Sequence, residues 1–572
     1  MCIKGSALCR HFINPSSPKR SSMNFKSLLL TILLIVPLCL NAQTIENGVL
    51  TNCSGLSGEY TVPDGVKEIG EGAFFYSGVT KVHIPASVEV IGKSAFYMSY
   101  SLQSIDFAAG SKLKTVRDLA FSECTQLQQV ELPASVDSLG ANAFTFCDGL
   151  RKVTLPASLK RLCYGTFSSC VALTRIVVPP ACKVIDEFAF GNCTGLSYVD
   201  VQGADTISTK AFYHCSVLST VKLPETLKAI GDSAFMRCEA LSTITLPASL
   251  EKAGDKMFLR CPYFEGFTVA EGNTHFMAEN GVLYSKDKTV LYECPQLYTA
   301  DKFVVPATVK TIRPMAFFEC NAVKGISLPA TIEGIGVAAL SNNGMGAFDF
   351  DGNDKYPVHD GMIYAHLKSQ DGLALLAAPC QSTKTDVVLF PSTVYIADYA
   401  LAYNKNLHNV TMPENLKYVG PSAFYNDQAL QNLTCYAVEA PQLLDNAFGE
   451  VPFNKVYLHI KPGSFNSYQA AGWLFLMGDD ITGEYPYVDP NTGLNAVAAG
   501  SHVVAVNRNG DRVVVTAAQP IASVMVYDLA GRLVDTVAAH GENAATLGAG
   551  LAAGVHVARV TLASGMQVTV KF

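Results

Sequence analysis

The sequence is short of charge and nearly without tryptophan. Only 16% of its 572 residues are Asp, Glu, Lys or Arg, and Trp473 is the one indole. With 49% apolar residues and no strong charge imbalance, an intrinsically disordered chain is excluded. Basic residues are not in excess: beyond residue 42 stand 37 Lys and Arg against 49 Asp and Glu, a formal −12, which argues against nucleic acid as a partner. No run after residue 42 reaches 18 uninterrupted apolar residues, so no transmembrane helix is expected in the mature chain. Catalytic signatures are missing too. There is no Gly-x-Ser-x-Gly elbow, no His-Glu-x-x-His, no Walker loop and no Gly-x-Gly-x-x-Gly after a strand, and the 11 His are scattered. Asp349 to Asp354 imitates the start of a calcium loop, but Asp354 stands where the sharp turn needs Gly, leaving a polar insertion loop. The expectation is a protein that is not an enzyme, with no cofactor and no metal.

The first 42 residues hold five cations, Lys4, Arg10, Lys19, Arg20 and Lys26, and no acid. Residues 28–40, LLLTILLIVPLCL, are 13 almost wholly apolar residues. That is too short to span a bilayer and right for an export signal, with cleavage after Ala42. Met23 makes a better start than Met1. Leu38 before Cys39 argues against lipid attachment, which wants a small side chain there. Residues 1–42 are therefore read as a signal peptide.

What dominates the chain is a repeat of about 23 residues. Phe recurs at 74, 96, 121, 144, 167, 190, 212, 235 and 258, and the beat resumes at Phe317, Leu340, Leu401, Phe424 and Phe448, giving 14 rungs. Two further registers share the period: a Pro series that includes Pro133, Pro156 and Pro179, and Cys three residues after the Phe at Cys124, Cys147, Cys170, Cys193, Cys215, Cys238, Cys261 and Cys320. In one unit, Leu150, Val153 and Leu155 bracket a short strand around outward Thr154. Pro156 ends it, since proline cannot donate to a ladder. Leu159, Leu162 and Phe167 point inward. A lone unit cannot offset the conformational entropy of ordering about 23 residues, so burial is completed by stacking. The cysteines share one repeat position and point the same way. Parallel Cβ vectors do not readily give a disulfide, nor do single-file thiols surround a zinc ion. They read as buried thiols acting as small apolar residues.

The unit L-x-x-V-x-L-P-x-S-V-x-x-I-G-x-x-A-F-x-x-C, carried by Leu127 to Cys147, Leu150 to Cys170 and Leu218 to Cys238, resembles the leucine-rich repeat of the bacterial surface antigen A family, the Treponema-type repeat. The resemblance spans roughly residues 45–480. It implies a repeat solenoid of short parallel β-strands with turns and short helical turns. Glu279 to Tyr284 and His359 to Tyr364 contain Asn-Gly and Asp-Gly turn signals, expected as hairpins protruding from the solenoid within insertions near 262–300 and 341–389. Lys455 to Trp473 resembles the closing cap of such arrays. The solenoid is assigned to residues 43–485.

From about Asp489 the beat stops, and short Val-rich runs separated by turn residues predict a small antiparallel Ig-like β-sandwich over 486–572. Val526 to Arg532 and Gly550 to Val555 are similar to the type A C-terminal sorting domain of the Bacteroidetes type IX secretion system. His556, where that family commonly has Tyr, and the terminal Lys571-Phe572 depart from it. The resemblance implies export and attachment at the outer membrane, with the type IX machinery as a partner.

Outward strand residues form columns expected to line a broad concave face: Gln103, Gln128 and Arg151 in one, Glu131, Thr154, Asp200 and Lys222 in another, with Arg175 and Tyr198 beside them. These nine are the candidate binding residues. The columns carry no basic stripe and only Tyr198 as an aromatic. The family resemblance implies an adhesin at the cell surface or outside the cell, binding extracellular proteins of a host matrix or of other bacteria. A glycan-binding or nutrient-capturing scaffold is the alternative.

Overall fold

The computed structural model describes residues 43–350, 352–367 and 372–473, and seven strands with a few flanking residues between 504 and 571. The signal segment, the stretch 474–503, Asp351, and the motif residues 528–532 and 550–555 lie outside the described residues.

Most rungs are tied to the next in three places, although the first ladder breaks between Lys152–Thr154 and Arg175–Val178 and the second between Ser138–Leu139 and Arg161–Leu162. The strand around the inward Val forms the first ladder: Lys152–Thr154 pairs in parallel with Gln129–Glu131, Val153 opposite Val130. A second ladder, absent from the sequence expectation, runs through two-residue strands such as Arg161–Leu162, paired with Val184–Ile185. The third lies in the turn that carries the Phe. The Phe144 N–H donates to Thr166 O at 2.8 Å, the Phe167 N–H to Ala189 O at 2.8 Å, and the Phe190 N–H to Ala211 O at 2.9 Å. With backbone groups satisfied rung to rung, the interior can be largely apolar.

The segment around each Phe is turn, not helix. The helical elements with described bounds are a 3-10 turn, Phe453–Lys455, and a six-residue α-helix, Phe465–Ala470. No helix among them is long and apolar enough to cross a membrane. The turns repeat a left-handed residue two positions before and two after the Phe: Asn142 and Phe146 (φ 55° and 57°), Phe188 and Asn192 (φ 55° and 60°), Lys210 and His214 (φ 55° and 57°). Such conformations are costly for residues other than glycine, and they persist here because the flanking ladders over-determine them.

The Phe rings stack. From Phe74 through Phe258 successive centroids lie 4.5 to 5.7 Å apart with planes within 11°. Beside them the Cys column donates its thiols to the Phe carbonyl of the rung before, Cys147 Sγ to Phe121 O at 3.1 Å and Cys170 Sγ to Phe144 O at 3.2 Å. The 14 described cysteines are all free thiols, and all but Cys163 are buried. Burial pushes the thiols up: Cys53 and Cys182 rise to about 11, and Cys170 goes further.

The two insertions differ from the expected protruding hairpins. Asn280-Gly281 and Asp360-Gly361 do turn antiparallel pairs, Phe276–Glu279 with Val282–Ser285 and Val358–His359 with Met362–His366. Each pair gains a third strand that joins the second ladder in parallel: Val290–Glu293 beside Thr311–Ile312, and Leu373–Ala377 beside Thr393–Ile396. Val282, Leu283, Tyr284 and Leu291 are buried, so the meander is built into the stack because its apolar side has the same rung to cover. Each insertion supplies a rung of its own, with the Cys294 N–H on Ala316 O at 2.8 Å and the Ala378 N–H on Ala400 O at 2.7 Å.

The far end of the stack is closed. Trp473 is fully buried edge-on to Phe448, its Nε1–H donating to Pro441 O at 2.7 Å, and Tyr468 Oη–H donates to Ala437 O at 2.9 Å. Beyond residue 503 the described strands form two antiparallel sheets, one of three strands and one of four.

Candidate functional site

The strand ladder presents its alternate residues outward, and because pairing is parallel and in register, equivalent positions line up across rungs. Glu131 stands beside Thr154, Arg175 beside Tyr198 and Thr220, and Asp200 beside Lys222. Gln103, Gln128 and Arg151 also stack, the Gln128 N–H on Gln103 O at 3.1 Å and the Arg151 N–H on Gln128 O at 2.8 Å. They sit one residue ahead of the strands Gln129–Glu131 and Lys152–Thr154. The outward column of the strand itself is Ser104, Gln129 and Lys152, which the sequence reading passed over. The available signal was the strict alternation around the buried Val, which places the outward residue immediately before it.

A hollow of about 620 Å³ opens on this face, with Asp106, Gln129, Glu131, Lys152 and Thr154 among its lining. Of the nine candidates it therefore takes in Glu131 and Thr154. Gln103, Gln128 and Arg151 are exposed but do not line it. Asp106 at its edge pairs with Lys81 at 2.9 Å and His83 at 3.3 Å.

The remaining four candidates meet two rungs further on. The Arg175 guanidinium lies 5.1 Å from the Tyr198 ring centre and Lys222 Nζ lies 5.7 Å from it, so one ring is flanked by two cations. Hydrogen bonding to the Tyr198 hydroxyl, followed by the charges of Tyr198 and Asp200, holds the Lys222 ammonium above the usual lysine range. Val177, 40% exposed, stands in register beside Asp200. The face thus offers a cation–aromatic cluster, the Asp200 carboxylate in register beside Lys222 and an apolar step, a pattern suited to docking a mixed-charge surface.

A larger hollow of about 850 Å³ lies where the inserted rungs interrupt the column of Phe turns, lined by Gln296, Glu319, Asn342, Gln381, Tyr403 and Asn426 among others. None of these was singled out in the sequence, because the insertions break the register by which the residues would be matched. Glu319 there pairs with Arg260 at 3.5 Å and accepts from Gln296 at 2.9 Å; burial raises its carboxyl nonetheless. Among the described residues no group of three or more His, Cys, Asp or Glu is placed to hold a metal ion. Asp349 of the calcium-loop look-alike is ion-paired with Lys302.

Compared with known families, the chain matches the BspA type leucine rich repeat region in six copies, over residues 43–174, 109–207, 164–279, 287–356 and 380–469. Among solved structures it is similar to a leucine rich cell surface protein from Faecalibacterium prausnitzii: 19% identity, TM-score 0.42, 73% of this chain and 92% of that one. It is similar also to the pneumococcal vaccine antigen PcpA (18% identity, TM-score 0.27, 75% and 93% covered) and to a T. pallidum leucine rich repeat protein (26% identity, TM-score 0.28, 34% and 82% covered). No curated protein matches.

Proposed function

The chain belongs to the BspA-type leucine-rich repeat family, and from that premise we propose that it is an exported, non-catalytic binding protein of the cell surface, engaging an extracellular protein through the outward face of its strand ladder. The observation that carries this reading is the Arg175–Tyr198–Lys222 cluster, placed two rungs from an open hollow lined by charges of both signs. Arginine and tyrosine side by side are the residue types that dominate protein–protein hot spots. A glycan-binding face would instead be supported by a run of aromatic rings, and Tyr198 has only Arg175 and Thr220 as strand neighbours.

The rest of the proposal follows the sequence. Residues 1–42, read from Met23, direct export; residues 43–485 form the binding solenoid; and residues 486–572 are an Ig-like sorting domain that hands the chain to the type IX machinery at the outer membrane. Two antiparallel sheets with Val515, Val524, Val526 and Val560 buried support a sandwich there. Deleting 486–572 should strand the protein behind the outer membrane; surface display without it would refute the assignment.

The binding reading is tested by presenting the exported chain to immobilised matrix proteins and, in parallel, to a glycan array. Protein binding that falls about tenfold in a Tyr198→Ala, Lys222→Ala double variant supports it. Binding confined to the glycan array, or insensitive to the double variant, overturns it.

A further inference from the structure

We propose a second binding surface on the Phe-turn side of the first rungs, built from Phe75, Tyr76, Tyr97, Tyr100 and Glu123, that takes an arginine or lysine side chain of a partner peptide. The aromatic residues there are not required by the fold. In the register one past the anchoring Phe, where Phe75 and Tyr97 stand, the next four rungs carry Ser122, Thr145, Ser168 and Gly191, and aromatic residues return only at Tyr213, Phe318 and Tyr425. Phe75 is 45% exposed, Tyr76 66% and Tyr100 38%, a concentration of exposed apolar surface that marks contact with something else.

The rings form a continuous platform. Phe75 and Tyr97 lie 5.8 Å apart between centroids, and Tyr76 meets Tyr100 edge-on at 5.8 Å. Backbone bonds hold the bases of these side chains, with the Tyr76 N–H on Tyr97 O at 3.0 Å and the Met98 N–H on Ser122 O at 3.0 Å. At one edge the Tyr97 and Tyr100 hydroxyls donate to the two carboxylate oxygens of Glu123, at 3.1 and 3.2 Å.

What points to a cation is the charge left uncompensated. Among the described residues neither Glu123 nor Asp148 has a basic group within 4.0 Å. Burial and the charge of Glu123 both raise the Asp148 carboxyl, the signature of two acids sharing one neighbourhood. Glu319, two residues past its own anchor as Glu123 is past Phe121, is paired with Arg260 from the same turn register. At Glu123 the matching positions on either side are Met98 and Phe146 instead. Further along the same side, Lys210 lies over the Phe188 ring at 5.4 Å, a cation–aromatic contact made within the chain. Ring faces carrying negative potential, together with a carboxylate already turned toward them by two phenols, are complementary to a guanidinium or ammonium group.

The test titrates the full chain with a short peptide containing two arginines and with the same peptide carrying citrulline in their place, which keeps shape and removes charge. The arginine peptide should bind at least about tenfold tighter, and Glu123→Gln should remove most of that advantage. Glu251→Gln, at an exposed carboxylate just ahead of the strand Lys252–Ala253, and Tyr198→Ala, on the strand face, should leave it unchanged. Tyr76→Ala, at an exposed position, serves if Glu123→Gln perturbs folding, and should cost about three- to tenfold. Equal binding of the two peptides, or full binding by both platform variants, overturns the proposal. So would competition for the platform by a neutral oligosaccharide, or Tyr76-dependent self-association, in the absence of arginine binding. Because Tyr198→Ala reports on the strand face alone, failure here is distinguishable from failure of the adhesin reading.

Discussion

Replacing Glu293 by Gln should stabilise the solenoid at pH 8 and leave it almost unchanged at pH 5. Glu293 precedes Cys294 in the rung supplied by the first insertion, where most other rungs have Ala before the Phe. In those rungs the N–H of the previous Phe donates to the next backbone carbonyl; here the Phe258 N–H donates to Glu293 Oε1 at 3.0 Å. The carboxyl is buried and Oε2 has no partner. Burial pushes its pKa from 4.5 to about 8, against the pull of the Phe258 and Met257 N–H groups and helped by the charge of Asp255, which is itself paired with Arg313. The folded chain therefore holds a proton that the unfolded chain loses above about 4.5. Its stabilising contribution is complete below that pH, falls as pH rises, and is gone above about 8. The swing is on the order of 2–5 kcal/mol. A glutamine keeps the acceptor for Phe258 and cannot ionise. Urea unfolding of both chains at pH 5, 6.5 and 8, with hydrogen exchange across residues 255–262 as the local reading, measures the difference. Curves that stay parallel across that range, or a Gln variant weaker at pH 8, would refute the reasoning.

Three further outcomes follow. Phe167→Ala, in mid-stack between Phe144 at 5.3 Å and Phe190 at 5.7 Å, should cost about 3–5 kcal/mol, read as a fall in denaturation midpoint. Trp473, the sole tryptophan, should emit as a buried indole and shift to the red when the cap opens, and Trp473→Phe, which abandons the Pro441 carbonyl, should cost about 1–3 kcal/mol in local stability by hydrogen exchange over 440–473. Asn280→Ala, at a hairpin position with φ of 51°, should lower stability by about 1 kcal/mol, with little change when Gly replaces it.

The Phe, Pro and Cys series made the stacked architecture legible because a repeat exposes its buried positions many times over. The two-residue strands such as Arg161–Leu162 were not, since two residues show no alternation. The left-handed pairs escaped notice because the chain fills them with Asn142, Phe146 or Lys210 in place of glycine, strain that only neighbouring rungs make bearable. At the strand face, Glu131, Thr154, Arg175, Tyr198, Asp200 and Lys222 were readable from alternation. The column of Gln103, Gln128 and Arg151 fell one residue short because strand starts are set by ladder bonds between rungs. Glu293 could not be found in advance: its partner Phe258 lies 35 residues away, across an insertion that breaks the period.

Thiol labelling tests the stacked-turn account most directly. With the native chain, an alkylating reagent should leave Cys124, Cys147, Cys170, Cys193, Cys215, Cys238, Cys261 and Cys320 unmodified, since each is fully buried. After denaturation without reductant, mass spectrometry should find every one of the 14 cysteines beyond residue 42 alkylated. Rapid native labelling along that column, or pairs that stay unlabelled until a reductant is added, would contradict it.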